Sequence, residues 1–191
     1  MPSSATGRET VLVVDDESEV ADVLALKIRE RYETRVAYGG REALEAMDED
    51  VDAVLLDRRM PDVHGDDVLA EIRERGFDAV VVMTTAIDPD LNILEMDFDD
   101  YLSKPIETET LLSTLDQQLD SRRSDDPQLE DFFSVVSKIE VLESELTPAE
   151  LADSDEYERR KREAEELGRE LQDSHSDFEE LVDTFRDIGR N

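Results

Sequence analysis

The sequence predicts an α/β fold, in which a doubly wound, five-stranded parallel sheet is followed by an α-helical hairpin or coiled coil. Up to about Asp120, short apolar runs alternate with segments whose apolar residues recur at helical spacing. This alternation is typical of a parallel sheet with helices on both faces. Beyond a polar segment that ends at Pro127, only the helical spacing continues. We expect the strand order 2-1-3-4-5, a common doubly wound order that binds ligands at the carboxyl ends of the strands.

Five apolar runs indicate the strands, and helical stripes between them indicate the helices. The strands are predicted at Val11–Val14, Thr34–Ala37, Ala53–Leu56, Ala79–Met83 and Asp100–Leu102. The stripes consist of Val20, Val23, Leu24 and Ile28; of Ala43, Leu44 and Met47; of Val68, Leu69 and Ile72; and, after the last strand, of Thr108, Leu111, Leu112, Leu115 and Leu119. The segment from Asp88 to Met96 is expected to hold a short fourth helix.

These patterns divide the chain into four parts. Residues 1–8 are predicted to form a flexible N-terminus, residues 9–120 the sheet domain, and residues 128–191 an acidic helical domain. The intervening residues 121–127, with the sequence SRRSDDP, are polar and end in proline, which indicates a linker.

The helical domain is predicted to contain two main helices. Apolar residues from Leu129 to Leu146 follow helical spacing, and Thr147-Pro148 then indicates a restart, with threonine as the N-cap and proline in the first turn. From Tyr157 to Ile188 a mostly apolar 3-4 repeat predicts a second long helix that packs in coiled-coil fashion. The pattern leaves open whether the helices pair within one chain or form a homodimer.

The composition restricts the function. Asp and Glu number 53 against 21 Lys and Arg, which gives a formal net charge of −32. This charge argues against direct DNA binding and against an anionic membrane surface, because both partners attract Lys and Arg. An acidic, lysine-poor chain is typical of a halophilic cytoplasm, where salt screens the repulsion between carboxylates. Without cysteine there is no disulfide or thiolate chemistry. We find no apolar run long enough for a membrane span or a signal peptide, and expect a cytoplasmic protein.

Polar side chains with one kind of chemistry follow the strands of the predicted sheet. Asp15 and Asp16 end the first strand, Asp57 ends the third, Thr85 ends the fourth, and Lys104 follows the fifth. Because neighbouring parallel strands end at the same edge, we expect these side chains to converge. Several carboxylates at one site ionise together only if a cation joins them. Oxygen ligands without histidine or cysteine favour Mg²⁺.

Together these groups predict phosphoryl chemistry. Mg²⁺ held by Asp16 and Asp57, with Asp15 reaching it through water, would neutralise an incoming phosphoryl group. Asp57 would then attack phosphorus and form an acyl phosphate. Lys104 supplies a positive charge for the carboxylate or the phosphate. The hydroxyl of Thr85 is a donor for the new phosphate oxygens.

Four motifs, VVDDE, LLDRRMPDVHG, TTA and DDYLSKP, occur in the order and at the strand ends that resemble the receiver domain of two-component response regulators. The resemblance covers roughly residues 9 to 120. It implies that Asp57 is the phosphorylation site. It also implies that Asp16, Asp57 and the backbone carbonyl of Arg59 are the metal ligands.

By the same resemblance, Thr85 and Tyr101 are a switch pair, and Lys104 is the lysine of the site, followed by a cis Pro105. The helical tail resembles the HalX domain that follows haloarchaeal receivers. Two features depart from the receiver pattern. The interval from Thr85 to Lys104 is a few residues short, and Asp97 stands where a glycine commonly precedes the DDY motif. Both departures fall on the face that usually signals output.

The resemblance implies a signalling switch rather than a metabolic enzyme. A histidine kinase would supply the phosphoryl group, and the tail would pass the change to an unknown downstream protein. Such a receiver catalyses only its own phosphorylation and hydrolysis, slowly. The alternative from another class is a Mg²⁺-dependent phosphohydrolase of the aspartyl-phosphate type. Enzymes that resemble the haloacid dehalogenase family carry a second Asp two residues after the nucleophile, where this chain has Arg59. A scaffold with an inert receiver would leave the acidic residues unexplained.

Overall fold

The structure, a computed structural model, describes residues 7–86, 89–123 and 126–187. The chain divides into two compact units, Met1–Val81 and Val82–Asn191. Within the described residues, five strands form a parallel sheet in the order β2-β1-β3-β4-β5. The predicted fold class and strand order are therefore confirmed. Most of the predicted flexible N-terminus, residues 1–6, lies outside the described residues.

The first unit, Met1–Val81, supplies the centre of the sheet. Its elements are β1 (Thr10–Val14), α1 (Ser18–Ile28), β2 (Glu33–Ala37), α2 (Gly40–Ala46), β3 (Ala53–Asp57) and α3 (Gly65–Glu74). β1 pairs with β2 from Thr10↔Glu33 to Val14↔Ala37, and with β3 from Val11↔Ala53 to Val14↔Leu56. The apolar side chains of β1 and β3 are fully buried. Continuous apolar runs of this kind suit strands that are covered on both faces.

The second unit, Val82–Asn191, holds the rest of the chain. Its elements are most of β4 (Val80–Thr85), a 3-10 helix (Leu91–Glu95), β5 (Asp100–Ser103), α4 (Thr108–Arg123), α5 (Pro127–Glu145), α6 (Pro148–Ala152), α7 (Asp155–Ser174) and α8 (Phe178–Asp187). β4 pairs with β5 from Val82↔Asp100 to Thr85↔Ser103. Helix α5 packs against β5, the 3-10 helix, α4 and α7. It is therefore a central element of this unit.

All five predicted strands are present, with small differences at their ends. The predicted short fourth helix is the five-residue 3-10 helix. Its N-cap is Asp90, whose carboxylate accepts from the backbone N–H of Asn92 at 3.1 Å. Asp88, the predicted start of this segment, lies outside the described residues.

The first part of the predicted linker is helical. Helix α4 continues through Arg123, and its last turn holds two arginines, which interact favourably with the carbonyl end of a helix. Asp126 is the N-cap of α5, and it accepts from the backbone N–H of Gln128 at 3.0 Å. Ser124 and Asp125, the middle of the predicted linker, lie outside the described residues. The division into domains at these positions stays a prediction.

Helices α5 and α7 form an antiparallel hairpin within one chain. Gln128, near the start of α5, bonds to Glu170, near the end of α7, at 3.0 Å. Glu143, near the end of α5, accepts from Lys161 of α7 at 3.1 Å. The short helix α6 joins them and begins with a capping box between Thr147 and Glu150, which confirms the predicted restart.

The prediction of one long second helix from Tyr157 onward is wrong. α7 ends at Ser174 and α8 begins at Phe178, while Ile188 lies outside the described residues. The break falls at Ser174–Asp177, whose Ser, His and Asp side chains favour helix ends over helix interiors. The turn allows the Phe178 ring to pack against that of Phe132, with centroids 5.2 Å apart. Burial of an aromatic ring compensates for the interrupted helix.

A cluster of apolar side chains fills the hairpin where α8 joins it. Its buried members are Leu129, Phe132, Phe133, Leu171 and Phe178. The rings of Phe132 and Phe133 also meet edge to face, with centroids 5.4 Å apart. Across the described ranges, no helix is both long enough and apolar enough to cross a membrane.

Candidate functional site

Three carboxylates meet at the carboxyl ends of β1 and β3. One ligand oxygen from each of Asp15, Asp16 and Asp57 lies within 4.8 Å of the other two. Asp15 and Asp57 are buried, with 1% and 6% of their surface exposed, whereas Asp16 is exposed. The structure therefore brings together the three acids that the sequence predicted to converge. Asp15 and Asp57 are thus buried, and burial of a charge is energetically costly unless a partner compensates it.

The end of β1 positions the first pair of acids. The backbone N–H of Asp15 donates to the carbonyl of Ala37 at 3.2 Å, which extends the pairing with β2 by one residue. The Asp15 carboxylate accepts from the backbone N–H of Glu17 at 2.9 Å. This bond holds the turn that leads into α1, so Asp15 has a structural partner as well as a place in the cluster.

The loop between β3 and α3 positions Asp57. Its carboxylate accepts from the backbone N–H of Arg59 at 2.9 Å. Gly65 folds the loop back, because its N–H donates to the carbonyl of Arg58 at 2.8 Å. A Cβ atom at Gly65 would lie 2.2 Å from the carbonyl oxygen of Asp57 and 2.8 Å from the Cα of Arg58. Only glycine permits this close approach.

The same loop is tied to its surroundings by two further carboxylates. Asp62 accepts from the backbone N–H groups of Gly40 and Arg41, both at 3.1 Å, and so caps helix α2. These bonds and that of Val63 lower the pKa of Asp62, with the Arg41 bond as the largest cause. Asp66, in the first turn of α3, receives two bonds from the Arg58 guanidinium, at 3.0 and 3.2 Å. A bidentate pair of this kind also fixes direction.

The donor set fits a hard divalent cation. All three side chains offer carboxylate oxygens, and no histidine or cysteine is among them. Oxygen-only ligands of this type suit Mg²⁺ or Ca²⁺. Mutual repulsion of three close carboxylates would raise the free energy of the site unless a positive charge compensates it. The cluster can therefore hold Mg²⁺ and leave a carboxylate beside it for chemistry.

The second unit holds the other predicted side chains of the site, those of Thr85, Tyr101 and Lys104. Thr85, at the end of β4, is buried, and its carbonyl accepts from the backbone N–H of Lys104 at 2.8 Å. The peptide bond between Lys104 and Pro105 is cis, as the resemblance implies. Tyr101 lies on β5 with 2% of its surface exposed, and its ring centroid is 6.0 Å from that of Phe98. Within this unit the structure brings Thr85 and Lys104 together through their backbones.

Sequence reasoning missed the residues that support these groups. The sequence does not reveal the role of Gly65, because a close approach between backbones has no sequence signature. Asp62 caps a helix that precedes it in the chain, so the usual capping patterns do not reveal it. The sequence predicts Asp100 only as the start of a short strand, yet the structure buries this residue. A carboxylate inside a strand next to an aromatic residue is the signal that was available.

Two family models match the chain. One, described as the response regulator receiver domain, matches residues 11–116, and the other, described as the HalX domain, matches residues 121–188. A protein of Haloferax volcanii described as "Putative transcriptional regulator" is 44% identical over 144 residues. That stretch covers 75% of this chain and 25% of the relative. The chain thus spans about a quarter of the length of this curated relative.

Solved structures of similar fold include two receiver proteins. A CheY-like response regulator receiver domain protein from Methanospirillum hungatei is 23% identical, with a TM-score of 0.59 over 63% of this chain and 100% of that one. This likeness supports the fold. The response regulator TrrA from Thermotoga maritima, solved in complex with Mg(2+)-BeF, is 31% identical. Its TM-score is 0.50, over 57% of this chain and 97% of that one.

Proposed function

The chain belongs to the response regulator receiver domain family, and from this premise we propose that it is a phosphoryl-accepting switch whose phosphorylated residue is Asp57. The HalX match extends the relationship to the tail. The observation that carries the proposal is the group of Asp15, Asp16 and Asp57, whose ligand oxygens lie within 4.8 Å of one another. Proteins with receiver domains are generally not classed as enzymes, and the reaction proposed here modifies the protein itself.

Asp57 is the proposed nucleophile. One of its carboxylate oxygens attacks the phosphorus of a phosphohistidine on the kinase. The P–O bond to Asp57 forms as the P–N bond breaks, and the electron pair stays on the histidine nitrogen. The hydrogen bond from the Arg59 N–H orients the carboxylate for this attack. Burial of Asp57 limits the access of water to the acyl phosphate that results.

Asp15, Asp16, Asp57 and the backbone carbonyl of Arg59 are the proposed ligands of Mg²⁺. When bound, the cation neutralises charge on the transferring phosphoryl oxygens. A related response regulator has been solved with Mg(2+)-BeF, which supports this choice of metal. The buried Asp15 keeps one oxygen on the Glu17 N–H. We therefore propose that Asp15 reaches the cation through water and that the exposed Asp16 binds it directly.

Thr85, Lys104 and Tyr101 complete the proposed site. We assign the Lys104 ammonium to the phosphoryl charge and the Thr85 hydroxyl to a phosphate oxygen, with Tyr101 as the second member of the switch pair. The order of β3, β4 and β5 in the sheet supports this grouping, because the strands that carry these residues follow one another. The phosphohydrolase alternative is not favoured by the comparisons, and Arg59 stands where that mechanism needs an acid.

A histidine kinase is the proposed phosphoryl donor, since receiver domains are phosphorylated by histidine kinases. The downstream partner is unknown, and pairing of two chains through the tail helices belongs to the proposal. The strongly acidic composition supports a halophilic cytoplasm as the location and argues against direct DNA binding. The matched stretch is 25% of the Haloferax volcanii relative, so the proposal does not extend to the activity of that longer protein.

Intact-mass measurement tests the assignment of Asp57. The wild-type protein and the Asp57→Asn variant are incubated with Mg²⁺ and acetyl phosphate in molar KCl. We expect one phosphoryl group on the wild-type protein, labile to alkali as an acyl phosphate is, and none on the variant. Chelation of Mg²⁺ should abolish the gain without changing the circular dichroism spectrum. Labelling of the variant at the wild-type rate would disprove the assignment. Acetyl phosphate does not phosphorylate every receiver. If neither protein is labelled, the assay is repeated with histidine kinases from the same organism as the phosphoryl donors.

A further inference from the structure

The tail helix α5 is docked on strand β5 by polar contacts that are mostly buried. The hydroxyl of Ser137 donates to the Asp100 carboxylate at 2.5 Å, and both residues are buried. One turn earlier, the hydroxyl of Ser134 donates to the carbonyl of Phe98 at 2.9 Å. The ammonium of Lys138 donates to the carbonyl of Met96 at 2.7 Å. Three side chains of one helix thus bond to three alternate residues, Met96, Phe98 and Asp100, at and just before the start of β5.

Asp100 is the centre of this docking site. Besides Ser137, its carboxylate accepts from the backbone N–H of Tyr101 at 2.8 Å and from the side-chain amide of Gln118 on α4 at 3.0 Å. A buried carboxylate is costly unless its oxygens are bonded, so this arrangement depends on all its partners. A shift of β5 at Tyr101 would therefore disturb the bond to α5.

The rings beside Asp100 form a second connection between β5 and α5. The Tyr101 ring lies 6.0 Å from that of Phe98, and the Lys138 ammonium lies 4.8 Å from the Phe98 ring centroid. A cavity of about 170 Å³ adjoins Tyr101 and is lined on the α5 side by Glu140, Val141 and Ser144. The Tyr101 ring therefore borders a space that α5 helps to enclose.

The two faces of α5 differ in polarity, and this difference determines which of the two contacts costs less free energy to break. The face toward α7 and α8 is apolar and aromatic, with Phe132 and Phe133 in its cluster. The face toward β5 carries the polar groups of Ser134, Ser137 and Lys138, which water can solvate when the contact is broken, and also the apolar Val141, which lines the cavity beside Tyr101. Exposing the aromatic face would cost far more free energy than exposing the polar one. We therefore expect the hairpin to separate from β5 as one unit, with α5 still packed against α7 and α8.

Like charges at the same junction weaken the docking. Asp131 lies on the exposed side of α5, where partial desolvation raises the pKa of its carboxyl, and so do the neighbouring carboxylates of Glu163 on α7 and Asp97 before β5. The positive charge of Lys138 acts in the opposite direction. Repulsion between α5, α7 and the loop before β5 thus opposes the polar contacts. When attraction and repulsion act on the same interface, a small change in either of them shifts the equilibrium between the docked and the released state.

We propose that helix α5 is the element that reads the switch, and that the contacts of Ser137 with Asp100 and of Lys138 with Met96 and Phe98 are a latch that phosphorylation opens. This inference rests on the proposed function, because it needs Asp57 to be the phosphorylated residue and Tyr101 to respond. On opening, the hairpin leaves β5 with its aromatic cluster intact. Since coupling between two events is reciprocal, loss of the latch also changes the phosphorylation equilibrium by the same factor.

Hydrogen exchange of the full chain, with and without acetyl phosphate and Mg²⁺ in molar KCl, tests the latch. We expect phosphorylation to speed exchange of the α5 amides near residues 134–142 by roughly fivefold or more, the lower end of typical coupling between sites. The double variant Ser137→Ala, Lys138→Met should show the faster exchange without phosphorylation, and little further change with it. Ser174→Ala is the matched control, because its hydroxyl bonds within α7, to the carbonyl of Glu170.

Intact mass of the same samples separates the two proposals. A labelled wild-type protein whose α5 amides exchange as before labelling would overturn the latch and leave the proposed function standing. A protein that no phosphodonor or kinase labels would overturn the proposed function instead. The latch residues are tested independently of labelling: exchange in the unphosphorylated double variant that equals that of Ser174→Ala would show that these contacts do not hold α5.

Discussion

The carboxylate of Asp62 accepts from the backbone N–H of Gly40 at 3.1 Å, and it thereby caps helix α2 from a loop that follows β3. The loop is the one that carries Asp57, so the cap connects the proposed phosphorylation site to a neighbouring helix. Gly40 cannot carry a side chain here, because a Cβ atom would lie 2.6 Å from the carbonyl oxygen of Val63. The N-cap of α2 is Gly39, which has no side chain to accept these bonds, so an acid from outside the helix supplies the cap.

Replacement of Asp62 by alanine should destabilise the protein by about 0.5–2 kcal/mol, the usual cost of losing an N-cap. Its pKa is lowered in the folded state, so its stabilising contribution is present above the unfolded pKa and is lost as the pH falls through the folded pKa. Denaturant titrations at pH 7 and under acid conditions measure this difference. Asp62→Asn is the control, because it keeps an oxygen acceptor and removes only the pH dependence. Equal stability of wild type and Asp62→Ala at pH 7 would contradict the cap.

Gly65→Ala should damage the phosphorylation site directly. The new methyl group would meet the Asp57 carbonyl at 2.2 Å, so the loop must move, at a cost of about 1–3 kcal/mol for overpacking. We expect slower labelling by acetyl phosphate as well as lower stability. Gly76→Ala, at the other end of α3, is the control. Gly76 has a φ of 76° but open space around it, so alanine there should cost about 1–2 kcal/mol and leave labelling unchanged. Equal labelling of both variants would refute the role of Gly65.

Asp131→Asn should stabilise the docking of the tail. Partial desolvation and the carboxylates of Glu163 and Asp97 raise the pKa of Asp131, so its charged form opposes folding above that pKa, and the effect disappears as the pH falls below the unfolded value. We expect a gain of up to about 1 kcal/mol at moderate salt, and less in molar KCl, where charges are screened. Asp173→Asn, an exposed acid on α7 with the same change in net charge, is the control. A larger gain from Asp173→Asn would show that net charge alone is responsible.

Tyr157→Phe should loosen the closed end of the hairpin. The Tyr157 hydroxyl donates to Glu143 at 2.5 Å, and Lys161 donates to the same carboxylate oxygen at 3.1 Å. Removing the hydroxyl should cost about 0.5–1.5 kcal/mol, the range for a typical hydrogen bond, because 43% of the Glu143 side chain is exposed and solvent screens its charge. The Tyr157 bond and Lys161 lower the pKa of Glu143, so the stabilisation is lost as the pH falls through the folded pKa. Thermal unfolding of Tyr157→Phe and Glu143→Gln measures both effects. An unchanged melting temperature for Tyr157→Phe would mean that the bond contributes nothing.

Much of the fold could be predicted because its signals are local. The five strands follow from apolar runs, and the restart at Thr147 follows from a capping pattern that the structure confirms with both of its hydrogen bonds. The helix break at Ser174–Asp177 was missed because the apolar repeat continues through it. What decides the break is the packing of Phe178 against Phe132, two residues far apart in sequence.

The candidate site likewise combines features that local sequence patterns predict with features that depend on packing. The acids at the strand ends could be identified without the structure, since Asp15, Asp16 and Asp57 lie at the ends of apolar strands whose order can be inferred. Packing between distant segments determines how closely their oxygens approach, why Gly65 must be glycine, and that Asp62 caps a helix from another loop. It also decided that Ser137 reaches the buried Asp100. Periodicity reports which face of a segment is buried, whereas contacts between distant segments depend on packing that no local pattern encodes.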